Sequence, residues 1–116
     1  MDKSDNFLEY VPERVIEWAL DEKGRVYLIK EKSKNRIIRR LIDGFGRSRF
    51  FHIHFDEIGS EAWKLADGNL RLLDISRRLQ EKLGARIEPA EERVARFFAV
   101  LNKNGFVELK KSRSES

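Results

Sequence analysis

Residues 50–84 read FFHIHFDEIGSEAWKLADGNLRLLDISRRLQEKLG, and a change of period inside this stretch decides the fold. The first six residues alternate with a period of two, which places Phe51, Ile53 and Phe55 on one face of a predicted strand. From Asp56 onward, apolar residues recur every three or four positions, as is typical of amphipathic helices. Asp56 can cap the first of these helices, so the chain changes from strand to helix at this residue.

Three consecutive helices of about three turns each are predicted after this strand. The second spans Leu72 to Leu83, and Pro89 opens the third at a first-turn position, where its missing N–H costs nothing. Three glycines end the helices, and these are Gly68, Gly84 and Gly105. The apolar residues expected to face the core are Ile58, Ala62, Leu65 and Ala66 in the first helix, Leu72, Ile75, Leu79 and Leu83 in the second, and Val94, Phe97, Phe98 and Leu101 in the third.

Upstream of the FFHIHF strand, the chain predicts a β-hairpin. Val15 to Leu20 alternates, Asp21 to Gly24 is a turn with glycine where a positive φ is wanted, and Arg25 to Glu31 is rich in strand-forming residues. The sequence therefore predicts an α+β fold that is similar to a winged helix-turn-helix domain: a three-stranded antiparallel sheet followed by a three-helix bundle.

The predicted organisation is one domain with short flanking segments, because 116 residues are too few for two well-packed cores. Residues 1–14 are expected to form an irregular N-terminal arm, residues 15–109 the domain, and residues 110–116 a flexible tail. A short strand is predicted at Phe106 to Leu109.

Residues 34–49 form a basic insertion between the second and third predicted strands. Its apolar residues recur at helical spacing, which predicts a short amphipathic helix, and Gly44-Phe45-Gly46 ends the pattern. Its charged residues are Lys34, Arg36, Arg39, Arg40, Arg47 and Arg49, against Asp43 alone. Three roles are open for it: a solvated helix that covers the core, a membrane-surface or partner-binding helix, and a nucleic-acid patch.

Composition narrows the class of protein further. The chain has no cysteine, and no apolar run approaches the roughly 18 residues of a membrane span. Met1 to Tyr10 lacks the apolar segment of a secretory signal, so a cytoplasmic protein without a transmembrane segment is expected. The net charge of +4 is modest for a protein that binds a phosphate backbone. This modest charge disfavours nucleic acid as the partner.

The sequence offers little chemistry for catalysis or metal binding. His52 and His54 share a strand face and so could supply two metal ligands, but there is no third histidine and no cysteine to join them. Two histidines on a partly solvated face are the simpler interpretation. The motifs of nucleophilic hydrolases and zinc proteases are missing, and the two glycines of Gly44-Phe45-Gly46 lack the context of a phosphate loop. We expect a non-catalytic protein without a metal or cofactor.

A set of spaced positions stands out between Asp56 and Leu109. These are Asp56-Glu57-Ile58-Gly59-Ser60 with Trp63, Asp67-Gly68, Asp74-Ile75 with Leu79, and Phe97, Leu101 and Asn104-Gly105-Phe106. In these positions the chain resembles the PqqD family of pyrroloquinoline quinone biosynthesis, whose fold recurs as the RiPP recognition element of peptide-modifying systems. Leu70-Arg71 stands where the family usually has Thr or Ser.

This resemblance implies a peptide chaperone without enzymatic activity. It would bind the leader of a precursor peptide and present it to a modifying enzyme, often a radical SAM protein. The resemblance also implies that the leader adds as a strand to the third strand, beside the last helix, which is physically sensible because a strand edge offers unpaired N–H and C=O groups. Carried over by position, the peptide-binding residues are Phe50, Phe51, His52, Ile53, His54 and Phe55 on the strand and Arg93, Arg96, Phe97, Val100 and Lys103 on the helix.

The exposed face of the last helix is basic with one apolar residue, Val100, so we expect it to meet an acidic, partly hydrophobic leader. An ordinary solvated helix face remains the alternative. A free strand edge would also allow pairing with a second copy of the chain.

Two other functions stay open at this stage. A winged-helix DNA-binding protein would use basic residues of the second and third helices, although interspersed glutamates dilute their charge. A scaffold would dock on a membrane or an acidic enzyme through residues 34–49. The residues for DNA are Arg71, Arg77, Arg78, Lys82 and Arg86, and the glutamates are Glu81, Glu88, Glu91 and Glu92.

Overall fold

The computed structural model describes residues 7–31 and 50–111 of the chain. The predicted α+β class, with a three-stranded antiparallel sheet followed by three helices, is confirmed. The predicted basic helix within residues 34–49 lies outside the described residues. In chain order, the elements are β1 (Val11–Arg14), β2 (Trp18–Leu20), β3 (Val26–Glu31), β4 (Phe50–His54), α1 (Glu57–Lys64), α2 (Leu72–Leu83), a 3-10 turn (Gly84–Ile87), α3 (Ala90–Lys103) and β5 (Val107–Lys110).

The described residues divide into two compact units. One contains residues 16–31 and 50–56, and the other contains residues 7–15 and 57–111. The first unit holds β2, β3 and β4, whereas the second holds the helices and the ribbon of β1 and β5.

The hairpin between β2 and β3 is confirmed together with its turn. Gly24 has a φ of +80° and its N–H donates to the carbonyl oxygen of Asp21 at 3.0 Å. The carboxylate of Asp21 accepts the backbone N–H groups of Lys23 and Arg25, and these bonds, that of Arg25 above all, lower the pKa of Asp21. β2 is shorter than predicted, since it begins at Trp18 rather than Val15.

The three-stranded sheet is amphipathic, as the alternation predicts. Val26 and Leu28 on one face are fully buried. On the other face, His52 and His54 are exposed and Tyr27 is partly exposed.

The N-terminal arm is not irregular throughout, because residues 11–14 form β1 and pair antiparallel with β5. The pairing continues in a hydrogen bond from the N–H of Val15 to the carbonyl oxygen of Phe106 at 3.1 Å. In this register Pro12 directs its backbone away from β5, so its missing N–H removes no bond of the ladder. Its carbonyl oxygen instead accepts the N–H of Gly68 at 3.0 Å.

Helix α1 differs from its prediction in length and in its buried side. It ends at Lys64 rather than at Asp67-Gly68, and Trp63 is fully buried although the predicted stripe omitted it. Ile58 and Leu65 of that stripe are only partly buried. The guanidinium Nη1 of Arg14 donates to the carbonyl oxygens of Trp63 and Lys64 at 3.0 and 2.9 Å, which satisfies carbonyls at the helix end.

The bounds of α2 are as predicted. Pro89 does not lie in the first turn of α3 as predicted, because it is extended and precedes the helix as its N-cap residue, and α3 begins at Ala90. The four predicted core residues of α2 are buried, as are Val94, Phe98 and Leu101 of α3, whereas Phe97 is partly exposed. At the end of α3, Gly105 has a φ of +78° and lets the N–H of Phe106 reach the carbonyl oxygen of Leu101 at 2.9 Å.

Candidate functional site

The outer edge of β4 is the first part of the candidate site. The order of the sheet is β2-β3-β4, so β4 has one partner, β3. Within residues 7–31 and 50–111, no strand pairs with its other edge. An edge of this kind carries a row of backbone donors and acceptors.

The register of β3 and β4 decides which backbone groups point to that edge. The N–H of Phe55 donates to the carbonyl oxygen of Val26 at 2.9 Å, in line with the ladder in which Ile53 lies opposite Leu28. Hydrogen-bonded pairs alternate along an antiparallel ladder, so residues 51, 53 and 55 direct their N–H and C=O groups toward β3. Phe50, His52 and His54 therefore direct theirs outward.

An aromatic cluster lies on the exposed face of the sheet beside this edge. The ring of Tyr27 lies 4.7 Å from that of His52 and 5.2 Å from that of His54, measured between centroids. The two histidine rings lie 6.2 Å apart. The three rings form one surface of aromatic and hydrogen-bonding character next to the outward-facing backbone groups.

The exposed side of α3 is the second part of the candidate site. Arg93, Arg96, Val100 and Lys103 are all exposed, and Val100 is 54% exposed, which is high for an apolar residue. Phe97 lies at the border of this face and packs edge to face on Phe98, with ring centroids 5.2 Å apart. The predicted division of the helix into a buried and a basic side is confirmed, except that Phe97 lies between the two.

The basic residues of α3 are not equivalent. Nη1 of Arg93 donates to the carbonyl oxygen of Arg86 at 2.6 Å, so this guanidinium is held at the end of the 3-10 turn. Within the described residues, Arg96 and Lys103 form no ion pair. Arg93 keeps its positive charge, because a carbonyl oxygen does not neutralise a guanidinium. Arg96 and Lys103 are the residues of this face whose charged groups have neither an ion pair nor a hydrogen bond within the described part of the chain.

The predicted site residues divide between the two compact units, with six at β4 and its end and five on α3. Within the sheet unit, the structure brings the two histidines together with Tyr27, a residue that sequence reasoning did not single out. The alternation of β3 shows that Tyr27 lies on the face opposite to Val26 and Leu28. Only the register of β3 and β4 shows that Tyr27 lies directly opposite His54.

The described residues hold no group of three or more His, Asp or Glu side chains placed to bind a metal. None of the described helices is both long and apolar enough to cross a bilayer.

A cluster around Arg71 was also missed at the sequence level. The N–H of Arg71 and its guanidinium both donate to the carboxylate of Asp74 at 3.0 Å, and Nη1 also donates to Glu9 at 3.0 Å. The side-chain bond from Arg71 is the main cause that lowers the pKa of Asp74, and the two carboxylates raise the pKa of Arg71. The carboxylate of Asp74 thus caps the first turn of α2 from the third helical position, where a capping box has Glu or Gln. The three-residue spacing of Arg71 and Asp74 in the sequence could have indicated this cap, because it is the spacing of a capping box.

Three of the five basic residues considered for DNA binding are engaged by carboxylates. Arg71 binds Asp74 and Glu9, Lys82 binds Glu61, and Arg86 donates to Glu57 at 2.7 Å. These pairs reduce the positive charge that α2 and the following turn can offer to a phosphate backbone.

The described residues define a small α+β protein with a strand edge in one compact unit and a basic helix face in the other. The chain belongs to the family of coenzyme PQQ synthesis protein D (PqqD), whose family model matches residues 46–107, more than half of the chain. The match runs from just before β4 to the first residue of β5, and so includes every predicted site residue. The members of this family are accessory binding proteins of coenzyme PQQ synthesis. No curated protein and no solved structure matches the chain.

Proposed function

We propose that this chain is a non-catalytic peptide chaperone. It captures the leader of a ribosomally made precursor peptide by strand addition to the outer edge of β4, and it presents the peptide to a modifying enzyme such as a radical SAM protein. The observation that carries the proposal is the row of outward-facing backbone groups at Phe50, His52 and His54, in a chain that belongs to a family of accessory binding proteins.

Strand addition explains how such an edge holds peptides of varied sequence. The backbone bonds supply an affinity that does not depend on side chains, each bond contributing about 0.5–1.5 kcal/mol net. Side chains of the added strand alternate between the two faces of the sheet. Those that share a face with His52 and His54 come to lie beside the aromatic cluster of Tyr27, His52 and His54, which gives the edge a means of selecting sequence.

The exposed face of α3 supplies the second element of recognition. Arg96 and Lys103 favour a leader with acidic residues, and Val100 favours an apolar side chain among them. Phe97 contributes partly exposed aromatic surface, and Arg93 borders the face. The eleven residues of the proposed peptide site are Phe50, Phe51, His52, Ile53, His54, Phe55, Arg93, Arg96, Phe97, Val100 and Lys103.

A binding role without catalysis agrees with where perturbed acids and bases occur. Catalytic groups have pKa values shifted by burial or by partners inside a cleft. Among the described residues, each clearly shifted group belongs to an ion pair or to a turn. These groups are Asp21, Glu61, Arg71, Asp74 and Arg86.

The experiment that tests strand addition is an N-methyl scan of a candidate precursor peptide, to be sought among the genes that neighbour this one. Each backbone N–H of the leader is replaced in turn by N–CH₃, and affinity is measured by isothermal titration. Only alternate residues of an added strand donate to its neighbour, so binding is expected to fall at every second position and to persist between them. A helical or purely electrostatic binding mode would show no such period of two. That result, or the absence of binding to any neighbouring precursor, would rule out the proposed mode.

A further inference from the structure

A groove between α1 and α2 has no role in the proposed peptide site. Its volume is about 740 Å³, and its lining includes no residue of β4 or α3. Of the leucines in its lining, Leu79 is buried, while Leu65 and Leu70 are partly exposed. The apolar surface that the groove offers therefore comes mainly from the segment that connects α1 to α2.

The charges around this groove leave a positive excess. Glu61 binds both Lys64, at 3.3 Å, and Lys82, and these cations lower the pKa of Glu61, with the bond to Lys82 as the main cause. Asp74, on the same wall, is neutralised by Arg71 outside the groove.

Four basic residues of the lining are exposed. Lys64 and Lys82 pair with Glu61, whereas Arg77 and Arg78 form no ion pair within the described part of the chain. The lining contains three carboxylates, and Glu61 and Asp74 are paired with cations. Glu81, one turn further along α2, forms no ion pair within the described residues. Partly exposed leucines beside arginines without an ion pair are complementary to an acidic amphipathic segment.

We infer that this groove, defined by Leu65, Leu70, Arg77, Arg78 and Leu79, is where the partner enzyme docks, through an acidic amphipathic helix. The inference rests on the proposed function and deepens it. A chaperone that presents a bound leader must hold peptide and enzyme at the same time, so the enzyme needs a surface that the leader does not use. Apolar side chains of the docking helix fill the groove, and its carboxylates pair with Arg77 and Arg78.

Duplex DNA fits the same surface poorly. Glu61 and Glu81 lie in the lining, and a phosphate backbone would have to pass beside both carboxylates. A protein helix can place apolar residues next to them instead.

The test uses the full chain and a candidate peptide-modifying enzyme, to be sought among the genes that neighbour this one. The variant Arg77→Glu/Arg78→Glu reverses both charges, and Arg77→Gln/Arg78→Gln removes them with little effect on helix propensity. The control Lys23→Glu/Arg25→Glu makes the same change of charge in the exposed hairpin turn. Thermal unfolding checks that each variant is folded, and interferometry measures affinity for the enzyme and, separately, for the leader.

The expected result is at least a tenfold loss of affinity for the enzyme in the Glu variant and a smaller loss in the Gln variant, with the control and all leader affinities unchanged. If the Glu variant binds the enzyme as tightly as the wild type does, docking of the enzyme at this groove is refuted and the proposed function is left intact. A steeply salt-dependent affinity of the wild type for duplex DNA, lost in the Glu variant while enzyme affinity persists, would overturn it in favour of nucleic acid. If the wild-type chain binds the enzyme but no leader, the proposed function is refuted. The enzyme affinities of the variants would still show whether the enzyme docks at the groove.

Discussion

The exposed side chain of Val100 provides a sharp test of whether the leader contacts α3. The perturbation is Val100→Ala, which removes about two methylene equivalents, worth about 0.8 kcal/mol each when buried. Since Val100 is 54% exposed in the free chain, only about half of this surface remains to be covered on binding. The expected loss is about 0.9 kcal/mol, or roughly a four- to fivefold rise in Kd.

The free chain should lose little stability from this change, because alanine is the better helix former and about half of the removed surface is already in water. Val94 offers a matched control on the same helix, since it is 2% exposed. Val94→Ala should lower the free energy of unfolding by about 2 kcal/mol through the cavity it leaves. The affinity of the folded protein for the leader should stay as it is.

The two variants are compared by isothermal titration with the leader and by urea unfolding. The reasoning is refuted if Val100→Ala binds as tightly as the wild type, or if Val94→Ala weakens binding as much as Val100→Ala does. Either result would remove the α3 face from the site and leave the edge of β4 to account for binding alone.

Two further predictions concern contacts that the sequence did not reveal. Arg14→Leu removes both bonds to the carbonyl oxygens of Trp63 and Lys64, so urea unfolding should show a loss of about 2 kcal/mol, whereas Arg25→Leu in the exposed turn should change stability by less than about 0.5 kcal/mol. Equal effects would contradict the role of Arg14 at the end of α1. Asp74 has a lowered pKa in the folded chain, so its stabilising contribution is complete above the ordinary carboxyl pKa near 4 and is lost as the pH falls through the lower folded value. The stability advantage of the wild type over Asp74→Asn should therefore narrow from pH 5 to pH 2.5 in urea titrations, and a constant difference would refute the pairing with Arg71.

The parts of the fold that follow from local rules could be predicted from the sequence. Helix α2 has a clear apolar period, and Gly84 with a φ of +59° ends it, so its bounds follow from the residues themselves. The turn at Gly24 is equally local. In both cases the determining residues lie within a few positions of one another.

The parts that depend on distant partners could not be predicted. β1 has four residues, one of them Pro12, and its pairing with β5 brings together segments almost a hundred residues apart. Trp63 is fully buried, but the apolar stripe predicted for α1 did not include it. The attachment of Glu9 to Arg71 likewise joins segments that no sequence pattern relates.

For the candidate site, the sequence predicted the faces of β4 but not the direction of its backbone groups. Alternation shows that His52 and His54 share a face whatever strand lies beside them. Which residues direct N–H and C=O outward depends on the register with β3, and that register is visible in the bond from Phe55 to Val26. The same limit applies to α3, where the charge pattern was visible but the engagement of Arg93 by Arg86 was not.

The register has a consequence for the kind of leader that the edge would accept. At β4, the residues with outward-facing backbone groups are also those whose side chains lie on the exposed face, because both properties alternate together along a strand. In the proposed complex, leader residues that pair with His52 and His54 therefore place their side chains beside Tyr27 and the two imidazoles. The residues between them face the side that carries Ile53 and Phe55, which are partly exposed. A leader that binds in this way needs hydrogen-bonding or aromatic side chains at one set of alternate positions and apolar side chains at the other set. A shift of the leader by one residue would exchange the two sets and place polar side chains against apolar surface, so the edge would select register as well as composition.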